Sequence, residues 1–261
     1  MEVSQSTSTT AGELAMATAP EPRRLPAGDG IAWWGESWRI FCAAPSTWLG
    51  ILALFVILSI ALVLVPIVGS LVHTVLTPVF AGGAMLGCHA LARGEPLRVG
   101  HLFEGFQCNR FVPLCVLGLI WLALIFVVAI VMVATIFLTL GASGLAAIMD
   151  FGTANLDYST LASAGVSLAV VGLIALALML LVAMAYWFAP ALCVLNGDEP
   201  IEALKKSFRA SWQNLGAMTI YGLIFIGLAI VASIPLGLGW IVLAPVMAGS
   251  WYAGWRETFD A

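Results

Sequence analysis

Six long apolar runs, separated by short polar stretches, set the rhythm of this chain. The first, Trp48–Val65, carries no charge and is just long enough to cross a hydrocarbon layer of ~30 Å at ~1.5 Å per residue. Pro66-Ile-Val-Gly69 predicts a turn into the second run, about 70–92, which contains Pro78 and Gly82, Gly83 and Gly87. The third, Phe111–Leu140, is longer than one bilayer requires and predicts a tilted or projecting helix. The fourth, Val166–Leu195, ends in Tyr186, Trp187 and Pro190. Leu215–Ile234 is the fifth, and Trp240–Trp255, with Pro245 inside it, is the sixth.

Between the fourth and fifth runs the pattern changes to that of an amphipathic helix. Ile201, Leu204, Phe208, Trp212 and Leu215 recur at spacings of three and four, while Glu202, Lys205, Lys206, Arg209 and Gln213 take the opposite face. Asp198 or Glu199 is placed to cap this helix and Pro200 suits its first turn. A helix of this kind lies on a membrane surface and feeds a spanning helix. A second begins near Ile31, with Trp34 and Trp38 on one face, and ends at Pro45. Its indoles, with Lys205, Lys206 and Arg209, are the expected contacts with lipid headgroups. Glu95-Pro96-Leu97 opens a third stretch, in which Phe103 and Asn109 stand at the same offset as Phe208 and Asn214.

Three units of surface helix, span, turn and span can therefore be laid over one another, starting near Ile31, Glu95 and Glu199. Pro78-Val-Phe-Ala-Gly-Gly83 reads against Pro245-Val-Met-Ala-Gly-Ser250, and Gly87 against Gly254. Gly83/Gly87 and Ser250/Gly254 are then small pairs at helix-packing positions, which let backbones approach closely. The expectation is an all-α integral membrane protein: a tail over residues 1–30, poor in order-promoting residues, and a six-helix transmembrane bundle over 31–258.

Composition supports the same class. Hydrophobic residues make up 62% of the chain and charged residues only 9%, against roughly a quarter charged in a soluble domain. All ten Lys and Arg residues fall on one side of the six-span layout. The positive-inside rule then puts both termini in the cytoplasm of a bacterial inner membrane. The five cysteines lie toward that reducing side, so disulfides are not expected.

Candidate chemistry is sparse. No Asp, Glu, Lys or Arg falls within the spans, which argues against an ion-driven carrier. His73 sits near the outer end of the second span, where it would bond water or a neighbouring helix. Cys88, His89, His101 and Cys108 would offer soft ligands to zinc, but their spacing matches no familiar zinc pattern. Asp150 and Asp157 lie on the outer connector. Nucleotide-binding, zinc-protease and nucleophile-elbow motifs are missing. Prolines 78, 190 and 245 mark positions where spans kink, or where a path for a substrate opens.

Several segments carry a resemblance: Trp34–Trp48, Gly82-Gly-Ala-Met-Leu-Gly87-Cys88, Gly94-Glu-Pro-Leu97 with Leu102-Phe-Glu-Gly-Phe106, Phe188-Ala-Pro-Ala-Leu192, and Ser207-Phe208 with Asn214. Over about residues 31–258 the chain resembles a group of uncharacterised six-span proteobacterial inner-membrane proteins, which implies that architecture and no specific activity. More loosely, its units are similar in pattern to the membrane domain attached to some glycerophosphodiester phosphodiesterases. The functional expectation is a non-enzymatic binding or scaffold component in envelope or lipid handling, with no cofactor. Membrane lipids, and other inner-membrane proteins or a second copy, are the expected partners; nucleic acid is not. A permease or lipid translocator, and a metal enzyme using the Cys/His group, stand as alternatives.

Overall fold

The computed structural model describes residues 21–107, 109–149 and 158–260, and no strand occurs among them. Eight helices carry the architecture: α1 (Asp29–Ala43), α2 (Pro45–Val63), α3 (Val68–Ala92), α4 (Phe111–Met149, interrupted at Gly141), α5 (Tyr158–Tyr186), α6 (Pro200–Gln213), α7 (Leu215–Ser233) and α8 (Trp240–Trp255). Five segments are long and apolar enough to cross a membrane: Pro45–Val63, Val68–Ala92, Phe111–Thr139, Gly165–Asn196 and Leu215–Ser233. At 16 residues, α8 is shorter than these; at ~1.5 Å per residue it covers about 24 Å. The span Phe111–Thr139 has 29 residues, about 43 Å by the same rise.

The turns follow backbone chemistry. α3 ends at Gly94, whose φ of +78° few other residues adopt without strain. Gly94 N–H donates to Leu91 O at 3.0 Å and Glu95 N–H to Ala90 O at 2.9 Å, the paired bonds of a Schellman cap. α6 begins with Pro200 in its first turn, where the missing N–H is no loss. Neither expected cap is made by a side chain. Glu199 instead pairs with Arg110, and Asp198 with Lys206 at 2.6 Å.

Residues 21–30 depart from the expected unstructured tail. Arg23 N–H donates to Thr258 O at 3.0 Å, and Leu25 N–H to Asn214 Oδ1 at 2.7 Å. Asn214 Nδ2 returns a bond to Arg23 O at 2.9 Å. One amide side chain thus reads this strap much as a neighbouring strand would, and α1 already starts at Asp29. Residues 1–20 lie outside the described part, as do Asp150, Asp157 and Cys108.

Each connecting segment between long helices that carries cations lies on the helix that precedes it, and α1 lies on α8. The stretch Val99–Gln107 crosses α3 so closely that a Cβ on Gly83 would stand 2.5 Å from His101 O and 2.7 Å from Leu102 O. α6 crosses the end of α5, and α1 crosses α8, where Ser37 donates to Val246 O. A Cβ on Gly249 would stand 2.7 Å from Ser37 Oγ. α1 is pinned again where Trp33 Nε1 donates to Glu257 Oε2 at 2.7 Å and Arg256 to Glu36 at 3.1 Å.

The three prolines behave differently. Pro78 and Pro245 sit inside continuous helices α3 and α8, as membrane helices tolerate when neighbours satisfy the freed groups. The fourth span does break, at Trp187–Phe188, ahead of the short turns Ala189–Ala191 and Leu192–Asn196. Pro190 has no N–H to offer the Tyr186 carbonyl. One residue pair earlier, the Ser207 hydroxyl enters the ladder: it donates to Met184 O at 2.9 Å and accepts from Phe188 N–H at 2.9 Å. Ser211 donates to the same Met184 carbonyl at 3.1 Å. An inserted side chain is a recognised cause of a kink, and here it comes from the surface helix α6.

Candidate functional site

The break at Trp187 turns large side chains into the bundle. Beside it lies a cavity of about 330 Å³, within the ~300–1,000 Å³ range of small-molecule sites. Thr77, Pro78 and Ala81 of α3 form one wall, Trp121 of α4 and Ala183 of α5 another, and Trp251 of α8 closes it. The side chains Tyr186 and Trp187, with Pro190, complete the lining. No ionisable Asp, Glu, Lys or Arg borders it.

The aromatic rings support one another. Trp121 and Tyr186 stand 4.7 Å apart between ring centroids. Trp187 meets Trp251 edge-on at 5.9 Å and Tyr221 edge-on at 5.2 Å. Tyr221 is fixed from behind, its hydroxyl 2.8 Å from Ser250 Oγ and its ring stacked on Trp34. These contacts hold the wall in one geometry, as edge-to-face aromatic pairs do.

The polar atoms on this wall are unequal. Thr74 and Thr77 hydroxyls donate to their own helix, at Ser70 O and His73 O. The Tyr186 hydroxyl and the Trp187 indole N–H are buried and have no hydrogen-bond partner. Trp251 Nε1 is likewise buried without a hydrogen-bond partner. A buried donor left unpaired costs about 1–3 kcal/mol, so such atoms call for an explanation.

A second cavity, about 230 Å³, lies between α2, α3 and α8. Trp48, Phe55, Phe80 and Pro245 line it, and it shares Thr77, Ala81 and Trp251 with the first. The indole of Trp251 is therefore part of the partition between the two.

A family model described as a protein of unknown function (DUF975) matches residues 42–253. The chain belongs to that family. The matched range contains every residue that lines the two cavities. A probable inner membrane protein of Burkholderia thailandensis is 30% identical over 230 residues, covering 88% of this chain and 82% of that protein. No solved structure matches the chain. The family carries no assigned activity, so the roles of its residues are read from the geometry.

The residues expected at the membrane surface separate into two groups. Trp38 is exposed, whereas Trp34 is buried: its ring lies 4.7 Å from Tyr221 and only 12° from parallel. Trp34 therefore packs inside the protein rather than against lipid, because α1 is covered by α7 and α8. Each of the three α6 cations has an acidic partner: Lys205 with Glu202 at 2.8 Å, Lys206 with Asp198, and Arg209 with Glu21 at 3.0 Å. Glu202 is held below the usual carboxylate range, first by the hydrogen bond from Lys205 and then by that residue's charge.

The small residues are packing positions of several kinds. Gly83 and Gly87 admit the connecting stretch around Leu97 and His101 rather than another spanning helix. Gly254 lies against Phe188 and Trp33, while Ser250 bonds Tyr221. The Cys/His group is dispersed in role. Cys88 is buried, His89 Nδ1 lies 3.2 Å from Tyr252 Oη, and His101 Nδ1 accepts from Arg98 N–H at 2.9 Å. Among the described residues no group of three or more potential ligands comes together. His73 Nε2 lies 3.0 Å from Ser59 Oγ, joining α3 to α2.

Sequence reasoning passed over Tyr186, Trp187, Trp251, Ser207 and Asn214 as site or scaffold residues. The one signal available was a Tyr-Trp pair followed by Pro190 inside an otherwise aliphatic run.

Proposed function

We propose that this chain is a six-span protein of the bacterial inner membrane, with both termini cytoplasmic, that binds a membrane-derived molecule between α3, α4 and α5. It acts as a non-enzymatic component of envelope or lipid handling. The observation that carries this reading is the first cavity: apolar, bordered by no charged side chain and built from residues of spanning segments. Hydrocarbon chains match such a lining, and ions do not.

The layout supports the topology. All ten cations lie on the side of α1, the Val99–Gln107 stretch and α6. α8 serves as the sixth span when the turn Arg256–Asp260 brings its end to the cytoplasmic interface. Three successive units of surface segment and helical hairpin then follow one another in parallel. The named inner-membrane relative agrees with the location. A reporter fused after Ala261 should stay cytoplasmic; export would overturn the topology.

The binding reading is tested by purifying the full chain in mild detergent and identifying retained lipids by mass spectrometry. One lipid class should be enriched over the bulk membrane and lost from an Ala183→Trp variant, whose indole occupies the cavity. Equal, unselective lipid in both proteins would sink the reading.

A second reading, a lipid translocator, draws on the shared wall of the two cavities. Trp251→Ala joins them, and a translocator so opened should scramble fluorescent lipid faster in proteoliposomes. An unchanged rate removes that reading and leaves the binding one.

A further inference from the structure

We infer that the ligand of the first cavity is an uncharged amphiphile whose head presents a carbonyl or ester oxygen to Tyr186 and Trp187. This rests on the cavity being a binding site, as proposed above, and adds the chemistry of what it takes.

The inference comes from which hydrogen-bond functions remain open. An indole N–H only donates, and a phenol hydroxyl donates and accepts. Tyr186 Oη and Trp187 Nε1 are both buried and both without a partner, on consecutive residues at the point where the fourth span breaks. Of the remaining polar groups on the wall, the Thr74 and Thr77 hydroxyls are bonded to their own helix, while Trp251 Nε1 is a third buried donor without a partner. A molecule that satisfies this site must bring an acceptor. An anionic head is disfavoured by the lining, which offers three neutral donors and no cation. An ammonium head meets no carboxylate there. What remains is a neutral oxygen acceptor next to apolar bulk.

The surroundings agree with that head. Trp121 and Trp187 present ring faces and edges around the two donors, suited to a planar ester or a carbonyl ring. Pro78, Ala81 and Ala183 leave room for an aliphatic chain. Beyond Trp251 the second cavity is apolar as well, and is placed to take a second chain of the same molecule. Two sources supply this chemistry in a membrane: the esters of a neutral acylglycerol and the ring carbonyls of a quinone.

The test uses the full chain in detergent micelles, titrated separately with dioleoylglycerol, a short-chain ubiquinone and dioleoylphosphatidylglycerol. Bound mass is counted by native mass spectrometry. One of the two neutral probes should bind one per chain, and the anionic lipid should not compete with it. Tyr186→Phe removes only the hydroxyl and Trp187→Phe only the indole function; each should weaken that probe about fivefold, the worth of one hydrogen bond. Ala183→Trp, or Ala81→Phe should that variant not fold, should abolish binding. If the probes bind with equal strength, or if neither Phe variant weakens binding, the head-group assignment is overturned while the cavity reading survives. If no probe binds and neither blocking variant changes the lipid retained, both fall.

Discussion

Ser207 holds Met184: its hydroxyl donates to the Met184 carbonyl at 2.9 Å from a different helix, 23 residues further along the chain. Because Ser207 Oγ also accepts from Phe188 N–H, α6 bridges the Met184 carbonyl and the Phe188 amide where the fourth span breaks. The surface helix is therefore a structural part of the bundle. Its position fixes where Tyr186 and Trp187 point.

Ser207→Ala leaves the Phe188 amide unpaired at a buried site. It should lower stability by about 1–3 kcal/mol, read as a lower midpoint of thermal unfolding in detergent. Ser211→Ala should cost less, since Met184 O keeps the Ser207 bond. The double variant should exceed the sum, because the carbonyl then loses both donors. A Ser207→Ala midpoint equal to the wild type would show that the inserted hydroxyl contributes nothing.

Gly83 and Gly87 differ in what a methyl group would strike. At Gly83 it meets the backbone carbonyls of His101 and Leu102, which cannot turn aside; at Gly87 it meets the flexible tip of Leu97 at 2.8 Å. Gly83→Ala should destabilise by about 1–3 kcal/mol and Gly87→Ala by clearly less. Retention of the monodisperse peak after heating ranks the two, and the reverse order would contradict this packing.

Asn214→Leu removes both side-chain bonds to the strap while keeping the branched shape and the number of side-chain heavy atoms. Trypsin should then cut after Arg24 faster, by about thirtyfold for two hydrogen bonds of ~1 kcal/mol each where cleavage follows the opened population. Cleavage elsewhere in the folded chain should keep its rate. If cleavage after Arg24 is not accelerated, the strap is held by something other than Asn214.

Glu202 offers a pH test outside the membrane. Its carboxyl is held low by Lys205, so whatever the pair contributes is present above the ordinary carboxylate range. That contribution is lost as pH falls through the depressed value. Lys205→Gln should raise the Glu202 midpoint toward that of a free glutamate in a carboxyl-carbon NMR titration. Because the pair is exposed, unfolding at neutral pH should barely change.

The spans and the surface helix α6 were legible because hydrocarbon imposes a length and a composition that few other environments do. Leu215 and Trp240 mark helix starts in both the pattern and the structure. The site was much less legible. Tyr186 and Trp187 read only as the aromatic end of an aliphatic run, and nothing local says that their side chains line a cavity. Contacts such as Asn214 with Arg23 join residues 191 apart, and no helical period encodes them. Trp34 misled for a related reason: an amphipathic face states that a surface is apolar, without saying whether lipid or protein covers it.

The closure of α1 on α8 has a consequence for how the chain is made. Trp33 and Ser37 leave the ribosome well before their partners, since Glu257 and Val246 follow them by 224 and 209 residues. α1 must wait, undocked, through insertion of the helices that lie between it and α8. Any message cut short before codon 246 yields a product whose opening segment has nothing to grip, which gives quality-control proteases a simple mark of incompleteness.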